Sequence, residues 1–148
     1  MKYIFRLLLT MLLFNASSCP LFAQWVPVCD INGRTVWCLA TSGSNVFAGT
    51  YITGVLRSSN YGKNWAMMNS NLRGSDIFAL AVSGANLFAG TDDCGISIST
   101  DSGASWSAVN NGLAATNVHS LATNGTNLFA GTVGGGVFLS TNNGTSWT

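Results

Sequence analysis

Charge is scarce in this sequence, and glutamate is absent altogether. Charged residues make up 7% of the 148 residues, and the five acidic residues are all Asp. No cluster of Lys or Arg is present that would attract nucleic acid or an acidic membrane surface, so neither partner is expected. Hydrophobic residues make up 47% of the chain and can supply a core, so solubility has to come from Ser, Thr, Asn and Gly.

Cysteine is also scarce, and its spacing excludes the common metal sites. The four cysteines are Cys19, Cys29, Cys38 and Cys94, and no two of them have the C-x-x-C spacing of zinc ligands. We expect no metal and no other cofactor. In an oxidising compartment Cys29 and Cys38 could form a disulfide, but each also fits the role of a small apolar side chain in or near a strand.

Residues 1–23 have the pattern of a secretory signal peptide. Lys2 and Arg6 form a positive start, residues 7–14 are an apolar run too short to span a bilayer, and a cleavage site is expected before Gln24. The protein is therefore predicted to be exported from a bacterium to the cell surface or beyond.

An alternative interpretation takes residues 16–19 as a loose lipobox, with an acylated Cys19 as a membrane anchor. We favour the secreted form because stable anchoring usually takes two signals and the sequence offers one. No membrane span is expected in the mature chain, residues 24–148.

A segment of eight residues ending in Trp occurs three times at intervals of 41 residues. Its middle copy, residues 99–106, reads Ser-Thr-Asp-Ser-Gly-Ala-Ser-Trp. Self-similarity at such a period is typical of repeat folds. Four positions keep their chemical type in every copy: Ser58, Asn60, Gly62 and Trp65; Ser99, Asp101, Gly103 and Trp106; Ser140, Asn142, Gly144 and Trp147.

Turn chemistry explains why these four positions recur. A short Asn or Asp side chain accepts hydrogen bonds from backbone N–H groups further along its own turn, and Gly supplies a positive φ. Because Asp101 is replaced by Asn in the other two copies, the recurring feature is an acceptor oxygen and not a negative charge. This argues against catalysis or metal binding there. A buried Trp in each repeat would seal one layer against the next.

The pattern Ser-x-Asp-x-Gly-x-x-Trp resembles the Asp-box of the bacterial neuraminidase repeat (BNR) families. In those families the box is a structural hairpin between the last two strands of a propeller blade, and it also occurs in sortilin-like and photosystem-assembly-factor-like propellers. The resemblance covers nearly the whole mature chain and implies the fold. It does not imply sialidase activity, because the sequence lacks Glu and has only three Arg after Gln24 for an arginine triad.

Each repeat contains four short segments with β-strand character, separated by turns rich in Gly and Asn. We label them A to D in chain order, and they predict an all-β fold of four-stranded antiparallel meanders, that is, about three blades of an incomplete β-propeller. The predicted strands are A at 36–41, 77–82 and 118–123; B at 46–50, 87–91 and 128–132; C at 54–57, 95–98 and 136–139; and D beginning at Trp65, Trp106 and Trp147.

The repeats also define the predicted domain boundaries. A detached strand D occupies 25–28, blade 1 about 35–69, blade 2 about 76–110, and an incomplete blade 3 about 117–148. Closed propellers have about 4 to 8 blades, so three cannot form a ring. We interpret the chain as the N-terminal part of a longer protein, with assembly of two chains into a six-bladed ring as the alternative. Either way, the apolar outer faces of the first and last blades should be exposed.

Strand A alternates large and small side chains, which predicts a strand buried on both sides. His119 occupies the position that Trp37 and Phe78 hold in the other repeats. It is therefore expected to pack as a flat ring, in preference to a general acid or base role.

The two ends of the repeats differ in variability. The A–B turns and the octapeptides are nearly identical among repeats, whereas the B–C links and D–A connections differ, and specificity usually lies in such varied loops. The candidate ligand residues there are Tyr51, Arg73, Asp92 and Asp93. Tyr51 could stack on a sugar, and the two Asp could bind a hydroxyl or a cation, although packing and solvated charge are the default interpretations. Arg57 and Arg73 could bind an anion together if their loops converge, although a lone surface Arg is the default interpretation for each.

These features favour an exported, non-catalytic propeller with a binding or structural role and an unknown protein or glycan ligand. The alternative is part of a carbohydrate-active enzyme whose catalytic residues lie beyond residue 148.

Overall fold

A computed structural model describes residue 31 and residues 33–148. The predicted signal peptide, the predicted strand at 25–28 and Cys29 lie outside the described residues. The described part contains β-strands and no α-helix. The strands are β1 Val36–Ser42, β2 Asn45–Thr50, β3 Gly54–Ser58, β4 Ala66–Met67, β5 Ile77–Ser83, β6 Asn86–Thr91, β7 Ile96–Ser99, β8 Ser107–Ala108, β9 Val118–Asn124, β10 Asn127–Thr132 and β11 Gly136–Ser140.

Consecutive strands pair into three antiparallel sheets. The sheets are β1–β4, β5–β8 and β9–β11, which we call blades 1, 2 and 3. In blade 3 the backbones of Leu139 and Thr148 exchange two hydrogen bonds of 2.8 and 3.0 Å, which begins the pairing that β4 and β8 make in the other blades. The predicted fold class, an incomplete β-propeller of antiparallel meanders, is confirmed.

The blades converge at their first strands, because β1 lies beside β5 and β5 lies beside β9. The core lies between neighbouring sheets, and side chains at equivalent repeat positions fill both interfaces. Blades 1 and 2 enclose Phe47, Val55, Ile77, Leu87 and Trp106, and blades 2 and 3 enclose Phe88, Ile96, Val118, Leu128 and Trp147.

Glycine in the second strand of blades 1 and 2 permits this close packing. A Cβ atom added to Gly90 would lie 2.7 Å from Cγ1 of Val118 in blade 3. A Cβ atom added to Gly49 would similarly lie 2.7 Å from Cγ2 of Ile77 in blade 2. Both contacts are shorter than a real Cβ tolerates, so neighbouring inner strands approach through the missing side chain.

The expectation that every strand A is buried on both sides is wrong for β1 and β9. Only β5, in the middle blade, has a neighbouring blade on each side and is largely buried. Leu39 on β1 is 64% exposed, and Val137 on the outer face of blade 3 is 72% exposed. The predicted exposure of the apolar outer faces is therefore confirmed. Among the described residues, no helix is long and apolar enough to cross a membrane.

Candidate functional site

The three octapeptide turns lie at one end of the blades and share one hydrogen-bond pattern. In blade 2 the Ser99 hydroxyl donates to Oδ1 of Asp101 at 2.8 Å and accepts from the N–H of Gly103 at 2.8 Å. Oδ1 of Asp101 also accepts from the N–H of Ser105 at 2.8 Å. Seryl and Asx oxygens thus satisfy the turn's own backbone donors, as Asx and Ser/Thr turns do.

Asparagine makes the same contacts in the other two turns. Oδ1 of Asn60 accepts from the N–H of Asn64 at 2.9 Å, and Oδ1 of Asn142 accepts from the N–H of Ser146 at 3.0 Å. An acceptor oxygen is therefore what this position supplies in all three blades. The second oxygen of Asp101 accepts from the hydroxyl of Ser105 at 2.6 Å, whereas Nδ2 of Asn142 donates to the equivalent hydroxyl of Ser146 at 2.9 Å.

Hydrogen bonds also set the acidity of Asp101. The Ser105 hydroxyl, the Ser105 N–H and the Ser99 hydroxyl, in that order of effect, lower the pKa of Asp101 from 3.8 to about 2. Each of these donors favours the charged carboxylate.

Two successive residues of each turn have a positive φ, whereas sequence reasoning assigned this conformation to Gly alone. In blade 2 the φ of Ser102 is 58° and that of Gly103 is 87°. Tyr61 and Asn143 adopt the same conformation in the other copies, at 59° and 54°. The residue before Gly varies in type, so the sequence carried no signal for its strained backbone.

The tryptophans of the second and third turns bind the preceding blade. Nε1 of Trp106 donates to the carbonyl oxygen of Met68 in blade 1, and Nε1 of Trp147 donates to that of Val109 in blade 2, both at 2.7 Å. Both indoles are buried. Trp65 of blade 1 donates instead to Gly62 within its own turn at 3.0 Å. This end of the blades holds the sheets together.

The opposite end presents different side chains on a repeated backbone. In each blade the N–H of the residue that follows the second strand donates to the carbonyl of the residue just before the first strand. These bonds are Tyr51 to Thr35 at 2.9 Å, Asp92 to Asp76 at 3.3 Å and Val133 to Asn117 at 2.9 Å. We use the name axial rim for two sets of side chains at this end. They are the second residue of each first strand and the residue after each second strand: Trp37, Phe78 and His119, and Tyr51, Asp92 and Val133.

Aromatic rings form a continuous row along the axial rim. The ring centroids of Trp37 and Phe78 lie 5.3 Å apart, and those of Phe78 and His119 lie 4.4 Å apart at an interplanar angle of 31°. Tyr51 meets Trp37 edge-on at 6.4 Å. The expectation that His119 packs as a flat ring is confirmed. Trp37 remains 50% exposed and Tyr51 47% exposed.

A β-bulge places each of the three inner rings. In β1 the pairing with β2 skips from Val36 to Cys38, so Trp37 is the extra residue, and Phe78 and His119 are extra at the same point of β5 and β9. Bulges re-aim a side chain and are frequent near binding sites. The bulge was not predicted from the sequence, because the strand pattern continues through it without a Gly or Pro.

The remaining candidate ligand residues lie beside a small cleft next to the rim. Asp92 and Asp93 line a cleft of about 150 Å³ together with Asp76, and Arg73 directly precedes another lining residue, Gly74. Oδ1 of Asp92 accepts from Nδ2 of Asn117 at 2.7 Å. The structure thus brings Arg73, Asp92 and Asp93 together, while Tyr51 lies on the ring row. Among the described residues, no group of three His, Cys, Asp or Glu side chains is arranged to hold a metal ion.

Arg57 and Arg73 do not converge, so the condition for a shared anion site is not met. Arg57 donates to the carbonyl oxygen of Ser102 at 3.1 Å, in the octapeptide turn of blade 2. Arg73 lies in the connection from β4 to β5, at the opposite end of the blades. Arg57 therefore links two blades.

Cys38 is a free thiol, and its predicted alternative partner Cys29 lies outside the described residues. The Cys38 thiol lies 3.5 Å from the carbonyl oxygen of Ile77. Burial raises the pKa of Cys38 to about 11, so the reactive thiolate is suppressed.

Two asparagines that sequence reasoning did not single out brace the varied end. Asn69 accepts from the N–H of Val55 at 2.8 Å and donates to the carbonyl of Thr53 at 2.7 Å. Asn110 makes the equivalent bonds to Ile96 and Cys94 at 2.7 and 2.9 Å. The available signal was the recurrence of Asn 41 residues apart.

These observations define a β-propeller module with a structural end and a varied end. Among solved structures, it is similar to an ancestral GH74 enzyme, with 25% identity over 84% of this chain and a TM-score of 0.66. It is also similar to the GH74 xyloglucanase from Xanthomonas campestris, with 19% identity over 71% of this chain and a TM-score of 0.53. YCF48 from Cyanidioschyzon merolae is 18% identical over 74% of this chain, with a TM-score of 0.54.

This chain spans only part of each of these proteins. It covers 19% of the ancestral GH74 enzyme, 21% of the xyloglucanase and 41% of YCF48. No protein-family model and no curated protein matches the chain. The likeness therefore shows the fold.

Proposed function

We propose that this chain is an exported, non-catalytic β-propeller module that binds a ligand at the axial rim and the cleft beside it. The observation that carries this proposal is the difference between the two ends of the blades. One end repeats the same hydrogen bonds three times, which folding alone explains. At the other end a repeated backbone presents Tyr51, Asp92 or Val133 at one equivalent position. Varied side chains on a rigid frame are typical of recognition surfaces.

The carboxylates support binding in preference to hydrolysis. Most glycosidases place two carboxyl groups across the scissile bond, one of them free to donate a proton. Asp76 accepts a hydrogen bond from the N–H of Ile52 at 2.7 Å, and Asp92 accepts one from Asn117 at 2.7 Å. Asp101 belongs to a turn. These three carboxylates already have structural partners, so among the described residues Asp93 is the one remaining carboxylate, and a single carboxylate does not make such a pair.

Expression of the full chain in a bacterial host, followed by cell fractionation and N-terminal mass spectrometry, tests the exported role. We expect a mature protein that begins at Gln24 and lies outside the cytoplasm. An acylated Cys19 would assign the membrane-anchored form instead. Retention in the cytoplasm with residues 1–23 intact would refute export.

As a second candidate function, the chain could be part of a carbohydrate-active enzyme. Two of the similar structures are GH74 enzymes, and Asp76, Asp92 and Asp93 line one cleft. The purified chain should release no reducing sugar from xyloglucan. Release that is lost in Asp92→Asn or Asp93→Asn would establish the enzyme and refute the non-catalytic role.

A further inference from the structure

We propose that the aromatic row of the axial rim is a stacking platform for a neutral glycan chain. The inference deepens the proposed function by naming the ligand class, and it rests on that function. It depends on the placement of Trp37 and Tyr51, the continuation of the row through Phe78 and His119, and the charges beside the row.

The same β-bulge recurs in all three first strands and places an aromatic ring at the axial rim each time. In each inner strand the one residue that interrupts the pairing carries a flat ring. The side chain changes from indole to phenyl to imidazole. All three are flat rings, but they are not all apolar. Core packing would have been served by an aliphatic residue at that position, as it is by Ile77 and Val118 one residue earlier.

The row is only partly used in packing. Trp37 and Tyr51 each keep about half of their surface exposed, and His119 is exposed as well. Trp and Tyr combine a large apolar face with a polar group and lose little side-chain entropy on binding. Phe78 and His119, 4.4 Å apart at 31°, stack on each other, so a ligand would contact the exposed surfaces of Trp37, Tyr51 and His119. An extended ligand could therefore contact several rings at once.

The charges beside the row favour a neutral, hydroxyl-rich ligand. Asp92 belongs to the rim, and Asp76 and Asp93 line the adjoining cleft, where Arg73 offsets one of these three negative charges. Carboxylates are hydrogen-bond acceptors for hydroxyl groups and repel anions. A nucleic acid would also stack on aromatic rings, but its backbone needs a positively charged groove, which three carboxylates against the single Arg73 oppose. The C–H face of a sugar ring suits an aromatic face, and its hydroxyls suit the carboxylates.

A protein partner fits this surface less well. Stable protein interfaces bury roughly 800 Å² on each partner around an apolar centre. At the rim the exposed rings belong to three side chains, and carboxylates lie directly beside them. A narrow row of this kind matches a single extended chain.

Affinity electrophoresis of the full chain tests the proposal. The native gels contain xyloglucan, mixed-linkage β-glucan or galactomannan, and parallel gels contain polygalacturonate or heparin. We expect retardation by at least one neutral polysaccharide and by neither anionic one. Trp37→Ala and Tyr51→Ala should each weaken that binding about tenfold, within the range that loss of an aromatic stacking partner produces.

Tyr61→Ala is the matched control, because Tyr61 is 83% exposed but lies in an octapeptide turn at the opposite end. It should bind as the unsubstituted protein does. Trp37→Phe and His119→Phe keep a flat ring and should retain most of the affinity. Circular dichroism and thermal melting identify any variant that has not folded, and the two half-exposed positions give independent variants.

Three outcomes would overturn the stacking platform. These are no retardation by any neutral polysaccharide, retardation that survives both Trp37→Ala and Tyr51→Ala, and rim-dependent binding of an anionic polymer or of a protein instead. All three leave the exported, non-catalytic role standing, because fractionation and the reducing-sugar assay test that role separately.

Discussion

Trp106 is the residue through which the turn of blade 2 binds blade 1. Its indole is buried and donates to the carbonyl of Met68 at 2.7 Å. We expect Trp106→Ala to lower the free energy of unfolding by about 3–5 kcal/mol, because it leaves a cavity and an unpaired carbonyl. Urea denaturation of the full chain measures the loss. Tyr61→Ala, at an exposed position, should change stability by less than about 0.5 kcal/mol, and an equal loss in both variants would contradict this role.

Asp101 allows a test of whether charge matters in the octapeptide turn. We expect Asp101→Asn to cost little at pH 7, because Asn60 and Asn142 already make the equivalent bonds. The folded pKa of Asp101 is about 2 against an ordinary value of 3.8. Its stabilising contribution is therefore complete above pH 3.8 and is lost as the pH falls towards 2.

Thermal melting between pH 6 and pH 2 should accordingly show the stability advantage of the unsubstituted protein over Asp101→Asn shrinking below pH 4. A difference that stays constant through this range would mean that the carboxylate charge contributes nothing to the turn.

At the scale of single elements, the glycine of the second strand sets how closely blades pack. In Gly90→Ala the new methyl would clash with Val118, which lies in the next blade. We expect a loss of about 1–3 kcal/mol, as for other overpacked cores. Gly131→Ala is the control, since its Cβ would meet only the hydroxyl end of Ser120, which can rotate away. Chemical denaturation should rank the two variants in this order, and the reverse order would refute the packing argument.

Strand positions could be predicted from the sequence because each carries its own local signal. The Ser-Gly, Asn-Gly and Asp-box-like segments mark the turns, and the strands observed between them match the predicted ones to within about two residues, the scatter expected of such boundaries. Burial could not be predicted strand by strand. The same alternating pattern is buried in β5 and exposed in β1, because burial depends on neighbouring blades and not on the strand itself.

The candidate site was predicted only in part. Tyr51, Asp92 and Asp93 stood out because they differ among otherwise similar repeats. Trp37 did not, because a large residue on strand A resembles a core position, and only the bulge and its 50% exposure place it at the rim. Long-range contacts such as that of Arg57 with Ser102 leave no trace in local sequence.

At the scale of the whole molecule, the two outer faces are complementary. Leu39 occupies the repeat position of Leu80, which packs against a preceding blade, and Val137 occupies that of Ile96, which packs against a following blade. Each face thus carries the partner that the other lacks, which is the arrangement of a head-to-tail contact. Both are exposed in the single chain.

We therefore expect the purified chain to associate through these faces. Light scattering should give a mass above that of one chain, and Val137→Asp should restore the single chain by placing a charge in the contact. Ser107→Asp adds the same charge on the exposed outer strand β8 of the middle blade, away from both faces, and should leave association unchanged. A single-chain mass for the unsubstituted protein would rule this contact out.

The hydrogen bond from Trp106 to Met68 reaches back across 38 residues of chain, from one blade to the one before it. A ribosome or export channel releases the chain from its N-terminus. The carbonyl of Met68 therefore stays hydrated until the indole of Trp106 has emerged. Each blade thus gains its last hydrogen-bond partner from the blade that follows it, so the contacts between blades form in the order in which the blades are synthesised.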